Sequence, residues 1–194
     1  LQWLQFQILH RIIPTNDYLY KLKKVISPLC TFCKTEIENT DHVFFKCSLV
    51  NDLWCSIEKW ILSMFEMHIS FDIQSVLFGK YKNRNLFRFN NLVILTVKQY
   101  IFSCKYKSHP FLSIQVVRNI IVERLLSEKY LLLKNCKYSE YENYWQYFCE
   151  KLWWCVFVFY TLRIVLIAKT IRYWSCCIKC LFFCPPPSLS FFYN

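Results

Sequence analysis

Glycine is almost missing from this chain: average usage of about 7% would place roughly fourteen in 194 residues, and Gly79 stands alone. Gly-rich phosphate cradles, both the P-loop and the dinucleotide fingerprint, are thereby excluded, because each needs glycine where the backbone approaches a phosphate. Acid is scarce as well, with 13 Asp and Glu against 24 Lys and Arg. The only aspartates are Asp17, Asp41, Asp52 and Asp72, and no two are adjacent. Two-metal phosphoryl transfer needs clustered carboxylates to hold its ions, so polymerisation by this chain alone is not expected. Asn-Gly and Asp-Gly hairpin signals do not occur, few segments alternate with period two, and no internal repeat is present.

What is present is apolar. Aliphatic, aromatic and cysteine residues make up 55% and aromatics alone 20%, which excludes a disordered tail and predicts a buried core of about one domain. The net charge of +11 directs the chain toward nucleic acid, anionic membrane or acidic partners without choosing among them. Twelve cysteines without a signal-peptide pattern at the N-terminus favour metal ligation and free thiols in an intracellular setting, nucleus or cytoplasm, over a secreted disulfide framework. The start at Leu1 leads to the expectation of a fragment of a longer product.

Hydrophobic spacing predicts a mostly α body. Leu4, Ile8, Leu9 and Ile12 recur at helical intervals up to Pro14, and Asn16 or Asp17 is placed to cap a short helix reaching Lys24. From Ser48, taken as an N-cap, Val50, Leu53, Trp54, Ile57, Trp60, Ile61, Met64 and Phe65 share one face. Further helices are expected over Leu86–Cys104, Ser113–Leu133 and Tyr141–Lys151.

Between the first helices and the one at Ser48 lies Cys30-Thr31-Phe32-Cys33, followed by His42 and Cys47, a C-x2-C-x8-H-x4-C pattern. Zinc takes four tetrahedral thiolate and imidazole donors, and four such donors within eighteen residues fit one structural Zn2+ with a closed shell. The alternative is three buried thiols and a packed histidine. Glu36, Glu38 and Asp41 beside this loop read as solvated acids or as partners of His42, and no acid/base site is assigned to them. His10 reads as a packing residue, and His68 and His109 as loop residues without a nucleophile motif.

The run Leu4-Gln5-Phe6-Gln7-Ile8-Leu9-His10-Arg11-Ile12-Ile13-Pro14-Thr15-Asn16, then Ser27-Pro28-Leu29-Cys30-Thr31-Phe32-Cys33, Glu38, His42-Val43-Phe44-Phe45-Lys46-Cys47 and Leu53-Trp54, resembles the zinc-binding region C-terminal to the polymerase of non-LTR (LINE-type) retrotransposon reverse transcriptases. Val76-Leu77-Phe78-Gly79 and the helix around Asn91 to Tyr100, with Lys98, resemble that region's continuation. The resemblance implies a zinc-stabilised CCHC knuckle embedded in a helical domain. It implies that Cys30, Cys33, His42 and Cys47 are the ligands, and that the module helps hold element RNA or target DNA near the parent reverse transcriptase in cis.

Cations interleave with aromatics at Tyr18-Leu19-Tyr20-Lys21-Leu22-Lys23-Lys24 and from Lys80 to Phe89, so Lys21, Lys23, Lys24, Lys80, Lys82, Arg84 and Arg88 are the candidate contacts to RNA or single-stranded DNA, at low sequence specificity. The competing reading is a solvated basic face. Composition shifts near Lys151: 20 basic and 13 acidic residues precede Leu152, whereas 152–194 holds 4 basic residues, no acid and five cysteines. The expected organisation is a zinc-binding domain over 1–70, a helical continuation over 71–151 and an apolar cysteine-rich extension over 152–194. A membrane span over 152–168 is penalised by Arg163 at about 2.5 to 3.5 kcal/mol near a bilayer centre, so a membrane-anchored cysteine-rich interaction protein is the alternative function.

Overall fold

In a computed structural model of the chain, residues 2–79, 84–107 and 110–152 are described. They lie in one compact unit, Leu1–Trp153, and the extension read as apolar and cysteine-rich lies outside them apart from Leu152. Among the described residues seven α-helices follow in order: α1 (Gln2–Leu9), α2 (Asn16–Lys21), α3 (Ser48–Phe65), α4 (Ile73–Phe78), α5 (Arg84–Lys105), α6 (Ile114–Lys134) and α7 (Tyr138–Tyr144), with a helical continuation over 146–152. A π-helical turn, His42–Lys46, sits between α2 and α3. The mostly α expectation is met: the sole β feature among the described residues is an isolated bridge between Leu29 and Ile37. No helix among them is long and apolar enough to cross a membrane.

The i, i+3, i+4 spacing on α3 is realised as a buried stripe of Val50, Leu53, Trp54, Ile57, Trp60, Ile61 and Phe65. Phe89, Val93, Ile94, Val97, Tyr100, Ile101 and Cys104 form the matching stripe on α5, and Val117, Ile121 and Leu125 that on α6. The stripes meet in an aromatic cluster. Phe89 stacks on Phe148 with centroids 4.0 Å apart, and Phe65 meets both edge-on at 5.3 and 5.4 Å. The edge-to-face geometry of the two Phe65 pairs suits the ring quadrupoles, adding about 0.5–1.5 kcal/mol per pair to what area burial supplies.

Several boundaries differ from the sequence reading. Helix α1 ends at Leu9, well before Pro14: the Ile12 amide donates to the Gln7 carbonyl and the Arg11 amide to that of Ile8, a Schellman stop with Arg11 at φ 53°. Leu9 and Ile12, expected on its buried face, are therefore exposed, and His10 lies exposed beyond the helix with its ring 4.2 Å from that of Phe6. Helix α2 is capped by Thr15, whose hydroxyl accepts from the Tyr18 amide, and stops at Lys21 instead of Lys24 because Lys23, at φ 55°, sits at a second Schellman turn. The N-cap of α3 is Cys47, with Ser48 already helical, and the last helical segment begins at Tyr138 instead of Tyr141.

The shortage of glycine explains these stops. Helices commonly end on a glycine in the left-handed region, and here Arg11, Lys23, Glu66 and Cys136 occupy that region after α1, α2, α3 and α6. Each L-residue there is held at a cost of roughly 1–2 kcal/mol. Gly79, at φ 90°, ends α4, where a Cβ would come within 3.0 Å of the Asn91 Oδ1. Cys136 is exposed and lies just past Asn135, the C-cap of α6. Cys136→Gly should therefore stabilise the protein by about 0.5–1 kcal/mol, whereas Cys136→Val should destabilise it by a similar amount, read from denaturant midpoints at constant m.

Candidate metal centre

The chain enters the loop through the Leu29–Ile37 bridge, tied by the Cys30 amide donating to the Glu36 carbonyl at 2.7 Å. Between these strands-in-miniature the backbone turns tightly: the Lys34 amide donates to the Cys30 carbonyl at 3.1 Å, with Lys34 itself at φ 60°. The turn brings both sulfurs of C-x2-C to one side, and the Phe32 amide donates to Cys30 Sγ while the Thr35 hydroxyl donates to Cys33 Sγ.

His42 and Cys47 come from the other end. In an α-helix, residues five apart are displaced by about 140° around the axis and could not face one ion. The π turn removes that displacement. The Cys47 amide donates to the His42 carbonyl at 2.9 Å, an i to i+5 bond that brings positions 42 and 47 to the same side. Asn39 supports its start, with Oδ1 accepting from the His42 amide at 2.8 Å, and the Trp54 indole donates to the Phe44 carbonyl at 2.9 Å. Trp54 thus anchors α3 to the turn, which explains a tryptophan at this buried position.

The four donor atoms lie within 4.8 Å of one another. Cys30 Sγ and Cys47 Sγ are 3.9 Å apart, and Cys33 Sγ is 3.4 Å from His42 Nε2. A tetrahedral zinc with Zn–S of about 2.3 Å and Zn–N of about 2.0–2.1 Å has donor edges of about 3.5–3.8 Å; these two edges lie close to that, and the widest, at up to 4.8 Å, would draw in by about 1 Å around the ion. The sulfurs are free thiols, not disulfides. Cys30, His42 and Cys47 are buried and Cys33 half-buried, behind Phe32, Val43 and Phe44.

Proton affinities follow from the same geometry. The thiol of Cys30 facing Cys47 holds the Cys47 sulfur down at about 5, with help from the Leu49 and Val50 amides at the start of α3 against the cost of burial, while the same contact and burial push Cys30 up. Burial opposes ionisation of Cys33, yet the hydroxyl and amide of Thr35 outweigh it and hold that thiol at about 7. Burial lowers His42, but the neighbouring Cys33, Cys47 and Glu36 charges prevail and raise it above its ordinary value. Glu36 Oε2 lies 3.2 Å from His42 Nδ1, leaving Nε2 turned to the sulfurs, which is the orientation by which a carboxylate outside the ligand shell fixes a metal-binding imidazole.

All four sequence-assigned ligands are therefore brought together. Residues 1–54 match the model of a family described as zinc-binding in reverse transcriptase. That segment is a reverse-transcriptase zinc-binding domain. The match spans every ligand and ends at Trp54, and no curated protein and no solved structure matches the chain. Four protein donors close the zinc shell of this domain, so the ion's role is to fold the loop, with no open position for substrate.

The acids beside the domain's loop part company. Asp41 pairs with Lys46 at 3.5 Å and Glu36 with His42, but Glu38 is wholly buried, contrary to its reading as a solvated acid or a partner of His42. Its carboxylate accepts from the Asn16 and Thr31 amides and pairs with Lys105 at 2.6 Å. Of the cations assigned to nucleic acid, Lys21, Lys23 and Lys24 are exposed, Lys80 and Lys82 lie outside the described residues, and only the backbone of Arg84 is described. Arg88 is engaged within the fold, 3.3 Å from Glu140 and 3.9 Å above the Tyr144 ring. Sequence reasoning missed Lys105 altogether. Lys98, noted only in passing, is buried against the Gln5 side chain and the Leu77 carbonyl, and burial pushes it down to about 8.

Purified chain should carry one zinc, and Cys33→Ser or His42→Ala should lose it and loosen residues 28–47, as read by metal analysis and amide exchange. Protons compete for the same donors, so zinc affinity should fall as pH drops through about 7, where Cys33 takes up a proton, and protonation of His42, whose proton affinity is raised, adds to the loss. A chelator competition series that is flat across that interval would contradict the assignment.

Proposed function

We propose that this chain is a zinc-stabilised module that binds RNA or single-stranded DNA with low sequence specificity, as part of a non-LTR retrotransposon reverse transcriptase, and without catalysis of its own. The observation that carries the reading is the edge presented by α2. Tyr18 and Tyr20 are exposed at 47% and 49%, beside the exposed Lys21, Lys23 and Lys24. Rings free to stack on bases and cations free to meet phosphates are the two elements of sequence-tolerant single-strand binding. The ion pair of Lys21 with Asp17, at 2.8 Å on an exposed helix face, is worth only a few tenths of a kcal/mol and yields readily to a phosphate.

The metal loop supports this edge. Asn16, the first residue of α2, donates from Nδ2 to the Leu29 carbonyl at 2.7 Å and to the Thr31 hydroxyl at 3.2 Å, so the helix that carries Lys21 and leads into Lys23 and Lys24 is held against the C-x2-C turn. Zinc would then act on binding indirectly, by keeping that edge in shape.

Affinity for labelled RNA or single-stranded DNA should fall steeply with salt, because each neutralised phosphate releases condensed counterions. Reversing Lys21, Lys23 and Lys24 to Glu should weaken binding to every sequence and reduce the log–log salt slope by about 2, from roughly 0.7 per single-strand phosphate contact. Tyr20→Ala should cost about 1–3 kcal/mol without changing the slope. Binding that is absent at low salt, or indifferent to both salt and the lysine reversals, would leave α2 as a protein-contact edge.

A further inference from the structure

We propose that Glu38 and Lys105 are positioning residues of the zinc centre: a buried ion pair through which α5 sets the C-x2-C turn in its metal-binding shape. The inference rests on the zinc assignment and extends it to a residue far beyond the matched segment. Glu38 is 0% exposed and Lys105 8%, and their charged atoms are 2.6 Å apart. A buried pair of this kind seldom adds net stability over an apolar replacement, because two ions must leave water, so its presence calls for a role in specifying one conformation.

The connections show which conformation. Glu38 Oε2 accepts from the amide of Thr31, the residue directly after ligand Cys30, at 2.7 Å. Oε1 accepts from the Asn16 amide at 2.9 Å, and Lys105 Nζ donates in turn to Asn16 Oδ1 at 2.8 Å. The Glu38 amide donates to the Pro28 carbonyl at 2.9 Å, which closes the loop just before the first ligand. Glu38 and Lys105, both buried, thus form one network with the half-buried Asn16 and Thr31, in which the cation comes from the last residue of α5. No ligand atom is touched by Lys105. It acts on the metal site only through the backbone that Glu38 holds, and so couples zinc affinity to the docking of a helix outside residues 1–54.

The test uses the full chain and zinc competition against a chromophoric chelator. Glu38→Gln and Lys105→Met should each lower zinc affinity by about tenfold or more, in the range seen for groups that orient ligands from outside the shell. The cobalt(II)-saturated spectrum should stay that of a tetrahedral Cys3His site, because the four donors are unchanged. Lys98→Met, which removes a different buried ammonium from the same helix, should stay within about threefold of wild type. Variants within threefold of wild type, or an equal loss from Lys98→Met, would overturn the proposal by reducing it to general stability. If either single variant fails to fold, Glu38→Gln/Lys105→Met leaves no lone buried charge; a folded double variant with wild-type zinc affinity would also overturn it. Amide exchange of Thr31 in metal-free wild type supplies a reading independent of any variant: protection is expected, and exchange at the rate of an open loop counts against preorganisation. Failure of the wild type to bind zinc would instead remove the metal assignment itself, an outcome distinct from all of these.

Discussion

The hydrogen bond from the Cys47 amide to the His42 carbonyl is the contact on which the rest of this structure turns. One extra residue in that turn gathers His42 and Cys47 on one side, where an α-helical path would hold them about 140° apart. The same bond ends the turn on Cys47, which is also the N-cap of α3, so a metal ligand and a helix start share one residue. Amides at the start of α3 favour the thiolate of Cys47, and an anion at that end suits the helix dipole. Trp54 then returns from the first turns of α3 to take up the Phe44 carbonyl. Ligand geometry and the buried stripe of α3 are thereby one construction.

Scarcity of glycine shapes the remainder. Four helix ends rest on Arg11, Lys23, Glu66 and Cys136 in the left-handed region, a strain that packing of the buried stripes must outweigh. Three of these residues are charged, and so are well placed at the surface where helices end. Lys23 in particular turns the chain sharply after α2 and keeps Lys21, Lys23 and Lys24 close together on the exposed edge.

Charge is used in two different ways. On α2 and in the turn after it the cations stand in water, where they act collectively and yield to salt. Lys98 and Lys105 are buried on α5, and each is held by named groups: the Gln5 side chain and Leu77 carbonyl for the first, Glu38 and Asn16 for the second. Arg88 falls between the two, half-exposed but paired with Glu140 and laid over the Tyr144 ring. A net charge counts all of these equally, although only the first kind is available to a partner.

The helices with long apolar stripes, α3, α5 and α6, were legible from spacing, because a period of 3.6 is a local property of the chain. So were Cys30, Cys33, His42 and Cys47, since zinc accepts few donor types and these four fall within eighteen residues. The helix stops were not legible: left-handed caps usually announce themselves through glycine, and here arginine, lysine, glutamate and cysteine fill them. Nor was the fate of the charged side chains. Glu38 sits among polar loop residues in sequence, and its burial arises because α5 brings Lys105 to it across 67 positions of chain. The sequence by itself determined the ligand set, the helical class and the sign of the charge, all of which depend on residue type and short spacing. Only the tertiary structure decided which cations face water and which acid holds the metal loop, because burial and ion pairing are settled between segments distant in the chain.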